Sequence, residues 1–240
     1  MQINNQPVEK QILTPDGSLE IVNVWSTIQG EGPFAGQPAV FLRLAGCNLS
    51  SLCRYCDTDY TTNRRLQTVE EISQLVRDKT PKPYRTGWYS AKDLLVITGG
   101  EPFRQNIGPF VRDILDYGYK VQIETNGTFY LSDFPYHDAV TLVCSPKTGS
   151  INKDIPKVNF YLKYILDADK IDEKDGLPTS SLDSGVYPAR PEGNEMGVYL
   201  QPLDEQDPVK NQRHLKAAAE SCLKFGYTLS VQLHKLAGLE

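Results

Sequence analysis

The sequence lacks the features that mark membrane, secreted and nucleic-acid-binding proteins. Its apolar runs all fall short of a membrane span, so we expect no transmembrane helix and no membrane partner. The first ten residues are polar and include Glu9, which argues against a signal peptide. Acidic residues outnumber basic ones by 30 to 25 without a long block of one sign, which argues against nucleic acid as a partner. These absences predict a cytoplasmic enzyme.

Repeats, low-complexity segments and a disulfide framework are also missing. The chain has five cysteines, and an odd count without an export signal argues against structural disulfide bonds. Its 240 residues suit one domain with a substantial core. We therefore expect a single domain over residues 1–240, with a polar insertion rich in Gly, Pro and Ser at about 167–196.

The apolar pattern predicts strands that alternate with helices. Strands are predicted at 19–25, 39–45, 93–98, 119–124, 139–144, 161–166, 197–200 and 227–233, and helices at 68–78, 107–117 and 208–224. Thr68 and Glu71 form a capping box at the start of the first helix, and Gly118 and Gly226 end the other two. This alternation predicts an α/β fold, an incomplete (β/α) barrel with roughly six parallel strands; an open doubly wound sheet is the alternative.

Cys47, Cys53 and Cys56 lie within ten residues of one another, directly after a predicted strand. Thiolates this close can converge on one metal centre. A structural zinc ion needs a fourth protein ligand, and the three histidines of the chain are distant in sequence. A [4Fe–4S] cluster on three cysteines leaves one iron open to the amino and carboxylate groups of S-adenosylmethionine. From the cysteines alone, cluster and zinc stay equally open, with three unliganded thiols as a further alternative.

Polar motifs follow the predicted strands at the point where each strand ends. Any one of them fits an ordinary loop, but together on one rim they predict a site, because α/β enzymes place their sites at the carboxyl ends of strands. These motifs are Gly99-Gly100-Glu101-Pro102, Glu124-Thr125-Asn126-Gly127, Ser145-Pro146-Lys147, Gln201-Pro202 and His234-Lys235.

Two features nearer the start of the chain also suggest a ligand. In Gln29-Gly30-Glu31-Gly32 the glycines allow a loop to lie flat against a planar ring, and Glu31 can accept hydrogen bonds from a guanidine-like edge. An exposed turn is the alternative. Arg43 shares one face of an apolar strand with Phe41, and a cation there needs a partner. Bidentate pairing with a ligand carboxylate would supply one.

Taken together, these motifs resemble the radical S-adenosylmethionine superfamily and, within it, the 7-carboxy-7-deazaguanine synthase family. The Gly-Gly-Glu-Pro motif occurs in many radical enzymes, whereas the Gln29 loop, the arginine strand and Cys56-Asp57-Thr58 are more specific. The superfamily spacing is C-x3-C-x2-C, and here the first interval holds five residues. The matching stretches are 29–32, 41–47, 53–58, 98–102, 124–127, 145–147, 201–202 and 232–235.

The resemblance implies a lyase that contracts 6-carboxy-5,6,7,8-tetrahydropterin to 7-carboxy-7-deazaguanine with loss of ammonia, on the route to queuosine-type bases. It implies a homodimer that receives electrons from a flavodoxin or ferredoxin. Its cofactors would be a [4Fe–4S] cluster on Cys47, Cys53 and Cys56, S-adenosylmethionine, and Mg²⁺ held with the help of Thr58.

The resemblance also assigns the remaining site residues. The S-adenosylmethionine site would comprise Gly99, Gly100, Glu101, Glu124, Ser145, Lys147 and Gln201. Tyr55 packs over the adenine in this interpretation, or else anchors its loop. The substrate site would comprise Gln29, Glu31, Gly32, Arg43, Thr98 and His234.

Two rival functions remain at this point. A glycyl-radical activase of the same superfamily shares the cysteine and Gly-Gly-Glu-Pro motifs, although it would not need the Gln29 loop or Arg43. A zinc-stabilised module without enzymatic activity would explain the cysteines alone.

Overall fold

The computed structural model describes residues 4–49, 53, 56–81, 93–181 and 184–239, which form a mixed α/β fold around one mostly parallel sheet. The strands are β1 (Leu19–Ile28), β2 (Pro38–Leu44), β3 (Arg65–Gln67), β4 (Leu94–Gly99), β5 (Lys120–Thr125), β6 (Val140–Cys144), β7 (Phe160–Leu166), β8 (Gly197–Pro202) and β9 (Thr228–Leu229). The helices are α1 (Val69–Lys79), α2 (Gly108–Asp116), α3 (Pro208–Phe225) and α4 (Leu233–Leu236). None of the helices described is long and apolar enough to cross a membrane.

The strand order is β3-β1-β2-β4-β5-β6-β7-β8-β9. Every neighbouring pair from β2 to β9 is parallel, which confirms the predicted parallel strands, while β1 runs antiparallel to both of its neighbours. The predicted alternation with helices holds only in part, since no helix of the described residues lies between β5 and β8. The sequence did not predict the antiparallel pairs or β3, because three residues are too short for a periodic signal. The predicted strand 227–233 is wrong in extent: only β9 pairs, and α4 follows it.

The helix ends follow their local chemistry as predicted. The Thr68 hydroxyl accepts a hydrogen bond from the backbone N–H of Glu71 at 3.3 Å, and the Glu71 carboxylate accepts one from the Thr68 N–H at 2.8 Å. This capping box starts α1. Gly226 ends α3 with φ of 79°, in the left-handed region that glycine adopts without a Cβ clash. These signals placed the helices within two residues of their observed bounds.

The two faces of the sheet differ in composition. Val40, Leu42 and Leu44 are at most 1% exposed and belong to the main core with side chains from α1 and α2, each buried side chain of this size contributing about 1.5–3 kcal/mol. Phe41 and Arg43 point to the opposite face, as the alternation in β2 predicts. That opposite face becomes polar towards the carboxyl ends of the strands, and the candidate site lies there.

The insertion at 167–196 contains no helix or strand in its described part, only a single bridge between Ile171 and Pro178. It is nevertheless packed against the fold. Leu177 is fully buried, and the Ser221 hydroxyl on α3 donates to the carbonyl of Gly176 at 2.7 Å. The segment therefore covers the outer surface beside α3.

Candidate active site at the carboxyl ends of the strands

One cavity of about 420 Å³ opens where the parallel strands end, a volume within the usual range for small-molecule sites. Its walls come from the cysteine loop and from the ends of β4 to β8, so the structure brings together most of the predicted positions. The predicted residues that line it are Cys47, Cys53, Cys56, Thr58, Thr98, Gly99, Gly100, Glu124, Ser145, Lys147 and Gln201. Tyr55 lies outside the described residues.

The three clustered cysteines share this cavity. Cys47 and Cys53 are each 8% exposed, and burial raises the pKa of all three thiols, that of Cys47 to about 12. Thiols in such surroundings become thiolates only beside strong positive charge, which bound iron supplies. Within the described residues, no three His, Cys, Asp or Glu side chains lie close enough to hold a single metal ion. An iron–sulfur cluster does not require its cysteines to meet at one metal ion, because each cysteine binds a different iron of the cluster.

The cysteine loop is held from outside by residues 4–14, a segment that we call the strap. The Asn4 amide donates to the carbonyl of Cys53 at 3.1 Å, and the Glu9 N–H donates to the carbonyl of Cys47 at 2.8 Å. Gln6 contributes a third bond, to the carbonyl of Thr58 at 2.8 Å. The strap thus fixes the backbone on which the cysteines sit, a role that the sequence did not reveal.

Glu101 is fully buried and lies behind the cavity lining. Its carboxylate accepts hydrogen bonds from the N–H groups of Phe103 at 3.0 Å and Asn126 at 2.7 Å, and from the Thr125 hydroxyl at 2.7 Å. Burial nevertheless raises the pKa of Glu101 to about 7, against the opposing effect of these donors. Glu101 therefore ties the loop after β4 to the loop after β5, and any effect it has on a ligand passes through those loops.

Steric crowding explains why glycines occupy the end of β4 and the position after it. A Cβ on Gly100 would lie 2.0 Å from the carbonyl oxygen of Gly46 and 2.9 Å from the Cβ of Cys47. The cysteine loop can thus approach the end of β4 only because no side chain intervenes. Both Gly99 and Gly100 still line the cavity, so close packing and ligand access are compatible here.

A second group of polar residues, which we call the mouth cluster, comprises Gln29, Glu31, Thr98, Glu124 and Lys163. Thr98 and Gln29 donate to the two carboxylate oxygens of Glu124, at 3.0 and 3.2 Å. Lys163 forms a buried ion pair with Glu31. Lys163 lines the cavity, yet the sequence analysis missed it. A lone lysine within the apolar strand 161–166 was the available signal, the same signal that singled out Arg43.

Arg43 lies beside the mouth cluster without lining the cavity. Its Cα is paired with that of Thr98 across β2 and β4, and its guanidinium carbon lies 4.8 Å from the ring centroid of Trp25. Its Nε is buried and has no hydrogen-bond partner among the described residues. A buried donor without a partner costs about 1–3 kcal/mol. Arg43 therefore retains a donor for a ligand acceptor.

The remaining predicted positions lie at the edge of the site. His234 packs on Gly30 so closely that a Cβ there would lie 2.0 Å from the ring Nδ1. That Nδ1 is buried without a partner in the described residues. Gly32 opens a short 3-10 turn. Lys147 donates to the carbonyl of Ser145 at 2.9 Å, and burial lowers its pKa.

Comparison with known proteins gives this site a family. No protein-family model matches the chain. It is 40% identical over 230 residues to the 7-carboxy-7-deazaguanine synthase of Rhodospirillum rubrum, covering 91% of this chain and 92% of that protein. It is 35% identical over 238 residues to the enzyme of that name from Rickettsia prowazekii, covering 97% and 94%. Its fold is similar to the crystal structure of QueE from Escherichia coli, with a TM-score of 0.63, 22% identity and coverage of 90% and 94%.

Proposed function

The chain belongs to the 7-carboxy-7-deazaguanine synthase family, and we propose that it converts 6-carboxy-5,6,7,8-tetrahydropterin to 7-carboxy-7-deazaguanine and ammonia for queuosine-type biosynthesis. One observation carries the proposal: the three cysteines and the mouth-cluster residues Thr98, Glu124 and Lys163 line the same cavity. Cofactor and substrate would thus meet in one enclosed space, which is what a reaction between them requires.

Cys47, Cys53 and Cys56 would hold the [4Fe–4S] cluster. When bound, the cluster and S-adenosylmethionine supply the radical that removes a substrate hydrogen. The protein contributes position: Asn4 and Glu9 of the strap fix the carbonyls of Cys53 and Cys47. The assigned S-adenosylmethionine residues form the neighbouring wall. They are Gly99, Gly100, Glu124, Ser145, Lys147 and Gln201, with Glu101 behind them.

The pterin would occupy the part of the cavity near the mouth cluster. Gln29, Glu31 and Gly32 would face its ring, and Thr98 would bind beside them. Arg43 would pair with the ring carboxylate, for which its unpartnered Nε is suited. His234 would close the ring-binding end from α4, where it already contacts Gly30.

A Mg²⁺ ion would bind between Thr58 and the substrate carboxylate. Thr58 lines the cavity two residues after Cys56, and among the described residues its hydroxyl makes only a long contact of 3.5 Å, with the Asp57 carboxylate. Mg²⁺ often takes few protein ligands together with substrate oxygens. Metal-stripped, cluster-loaded enzyme should turn over faster on adding Mg²⁺, and Thr58→Ala should reduce that stimulation. Equal turnover in all four conditions would remove Mg²⁺ from the mechanism.

We propose one radical S-adenosylmethionine domain, an incomplete (β/α) barrel working as a homodimer in the cytoplasm with a flavodoxin or ferredoxin as electron donor. The curvature is supported by the N–H of Leu233, which donates to the carbonyl of Gly30 at 3.3 Å. That bond links the segment after β9 to the loop after β1, near the two ends of the strand order.

Anaerobic reconstitution followed by turnover tests the proposal. Wild-type enzyme should take up about four iron atoms per chain and form 7-carboxy-7-deazaguanine from the carboxypterin. Cys53→Ala should lose both iron and turnover, while Cys222→Ala, which changes a buried cysteine on α3 away from the cavity, should keep both. Stoichiometric zinc without iron uptake, or iron uptake without turnover of the carboxypterin, would contradict it.

A further inference from the structure

Lys163 lies on β7 with its neighbours Leu162 and Tyr164 in the main core on the other face. Only 9% of Lys163 is exposed, and the part that is accessible lines the cavity. A buried ammonium requires partners that compensate its lost hydration. The residues around Lys163 show which ligand atoms could bind to its ammonium.

The first partner is Glu31, and the pair is almost entirely buried, with each side chain 11% exposed. Burial favours the neutral form of Glu31, but the adjacent Lys163 ammonium outweighs it and holds the pKa of Glu31 below its ordinary value. Gln232 donates to the other oxygen of Glu31 at 2.8 Å. With its amide nitrogen turned towards Glu31, Gln201 adds a contact of 3.0 Å. Glu31 is therefore well supplied with donors.

The second partner is Glu124. Burial opposes the charge on Lys163, but Glu31 and then Glu124 raise the pKa of Lys163 above its ordinary value. Glu124 is itself held by Gln122 at 3.1 Å, in addition to Thr98 and Gln29. The ammonium is thus ion-paired with Glu31 and interacts electrostatically with Glu124, and Lys163 and Glu124 both line the cavity.

This arrangement has a definite hydrogen-bond polarity. An ammonium only donates and an ionised carboxylate only accepts. A planar ligand beside Lys163 and Glu124 must therefore offer an acceptor to the first and a donor to the second. The 2-amino-4-oxo edge of a pterin has both, since its carbonyl oxygen accepts and its ring and amino N–H groups donate. A 2,4-diamino edge offers a second donor where the acceptor is needed.

We infer that Lys163 is a specificity-determining residue that selects 4-oxo over 4-amino pterins. The inference rests on the proposed function and deepens it, because it names the ring edge that the mouth cluster recognises. It also moves Glu124 from the S-adenosylmethionine wall to the pterin end of the cavity. A ligand donor placed against Lys163 finds no acceptor there, and it leaves an N–H of the ammonium that faces the cavity without one, although the ion pair with Glu31 remains. Such mismatches discriminate more strongly than a change of size.

Equilibrium dialysis of the cluster-loaded enzyme under anaerobic conditions tests the inference. The probes are 6-carboxypterin and 2,4-diaminopteridine-6-carboxylate, which are aromatic at C6 and lack the hydrogen that the reaction removes. Wild type should bind the 4-oxo probe roughly tenfold or more tightly than the 4-amino probe. Lys163→Gln offers both a donor and an acceptor, so the ratio should fall within about threefold. The matched control is Lys120→Gln, an exposed lysine on β5 that should keep the wild-type ratio.

A double variant, Lys163→Met with Glu31→Gln, removes both charges of the buried ion pair, while Glu124 keeps its hydrogen bonds from Thr98, Gln29 and Gln122. It should also lose the preference. An unchanged ratio in Lys163→Gln, even with both affinities weakened equally, would overturn the inference and leave the proposed function standing. Absence of both probe binding and carboxypterin turnover in wild type would overturn the two together.

Discussion

Two buried glutamates near the cavity are held in opposite ways. Glu101 is surrounded by neutral donors from Phe103, Thr125 and Asn126, and burial raises its pKa to about 7. Glu31 is buried to a similar degree, but the ammonium of Lys163 keeps its pKa below the ordinary value. Three neutral hydrogen bonds and the more distant Lys147 thus compensate the burial of Glu101 less fully than Lys163, Gln232 and His234 together compensate that of Glu31.

The partners of the two carboxylates also differ in what else they do. The donors to Glu101 come from loop backbone and from Thr125, so that carboxylate is committed to holding loops together. The donors to Glu31 include Lys163 and Gln232, which line the cavity. Contacts with a ligand can therefore replace contacts within the mouth cluster, whereas the Glu101 cluster stays closed.

The largest effect on stability is expected at Arg104, in the short 3-10 turn that begins directly after Glu101. Arg104 is fully buried, donates to the carbonyls of Ala45 and Lys10 at 3.2 Å, and pairs with Glu20 at 2.7 Å. Arg104→Met should lower the free energy of unfolding by about 3 kcal/mol, measured by urea denaturation, because it removes a fully buried guanidinium from its ion pair with Glu20 and from its hydrogen bonds to the Ala45 and Lys10 carbonyls. Arg112→Met, at a half-exposed position, should change it by less than about 0.5 kcal/mol. Equal losses of stability in the two variants would show that the contacts of Arg104 with Lys10, Ala45 and Glu20 do not stabilise the fold.

The next largest effect is the pH dependence of stability, in which Glu101 and Glu31 should act over different pH ranges. Since the folded pKa of Glu101 is about 7 against an ordinary 4.5, the folded state binds more protons than the unfolded state between these values. The free energy of unfolding should therefore fall by about 2–3 kcal/mol as pH rises from 4.5 to 7. Glu101→Gln should flatten this slope, and Glu70→Gln, on the exposed surface of α1, should not. Glu31 has a lowered pKa, so its stabilisation should be lost only as pH falls below about 4.5.

A smaller effect, on ligand affinity and not on stability, is expected at Arg43 beside the mouth cluster. Arg43→Lys keeps the charge but loses the planar fork, so the affinity for the carboxypterin should weaken by about 1–3 kcal/mol, or roughly tenfold to a hundredfold. The free energy of unfolding should not fall, since no described side chain accepts a hydrogen bond from the Arg43 Nε and its removal relieves the cost of a buried donor without a partner. Titration calorimetry and denaturation of the same samples measure both. Wild-type affinity in this variant would contradict the pairing with a carboxylate.

Local chemistry accounts for what the sequence predicted well. The Thr68 capping box, the left-handed Gly226 and the alternation through Phe41 and Arg43 each depend on residues close in sequence, and each is present in the structure. The rim motifs were found because parallel strands bring their carboxyl ends to one edge, so residues far apart in sequence meet there by topology.

The features that the sequence did not reveal depend on distant partners. Lys163 and Glu31 are 132 residues apart, and Arg104 and Lys10 are 94 apart. The apolar strand around Lys163 indicates that this lysine needs a partner, but nothing local shows that the partner is Glu31. The antiparallel pairing of β1 with β3 escaped for the same reason, because β3 acquires its identity from β1 and has too few residues to show one of its own.

The strap has a consequence for how the chain is made. Its residues are made before the groups that it binds, at Cys47, Thr58 and Arg104. At about 5–20 residues per second, several seconds separate synthesis of the cysteines from synthesis of Arg104. During that interval the three thiols are on a nascent chain that cannot yet complete its outer brace. Until Arg104 has been made, the strap therefore lacks the hydrogen bonds that its Lys10 and Ile12 form with that residue.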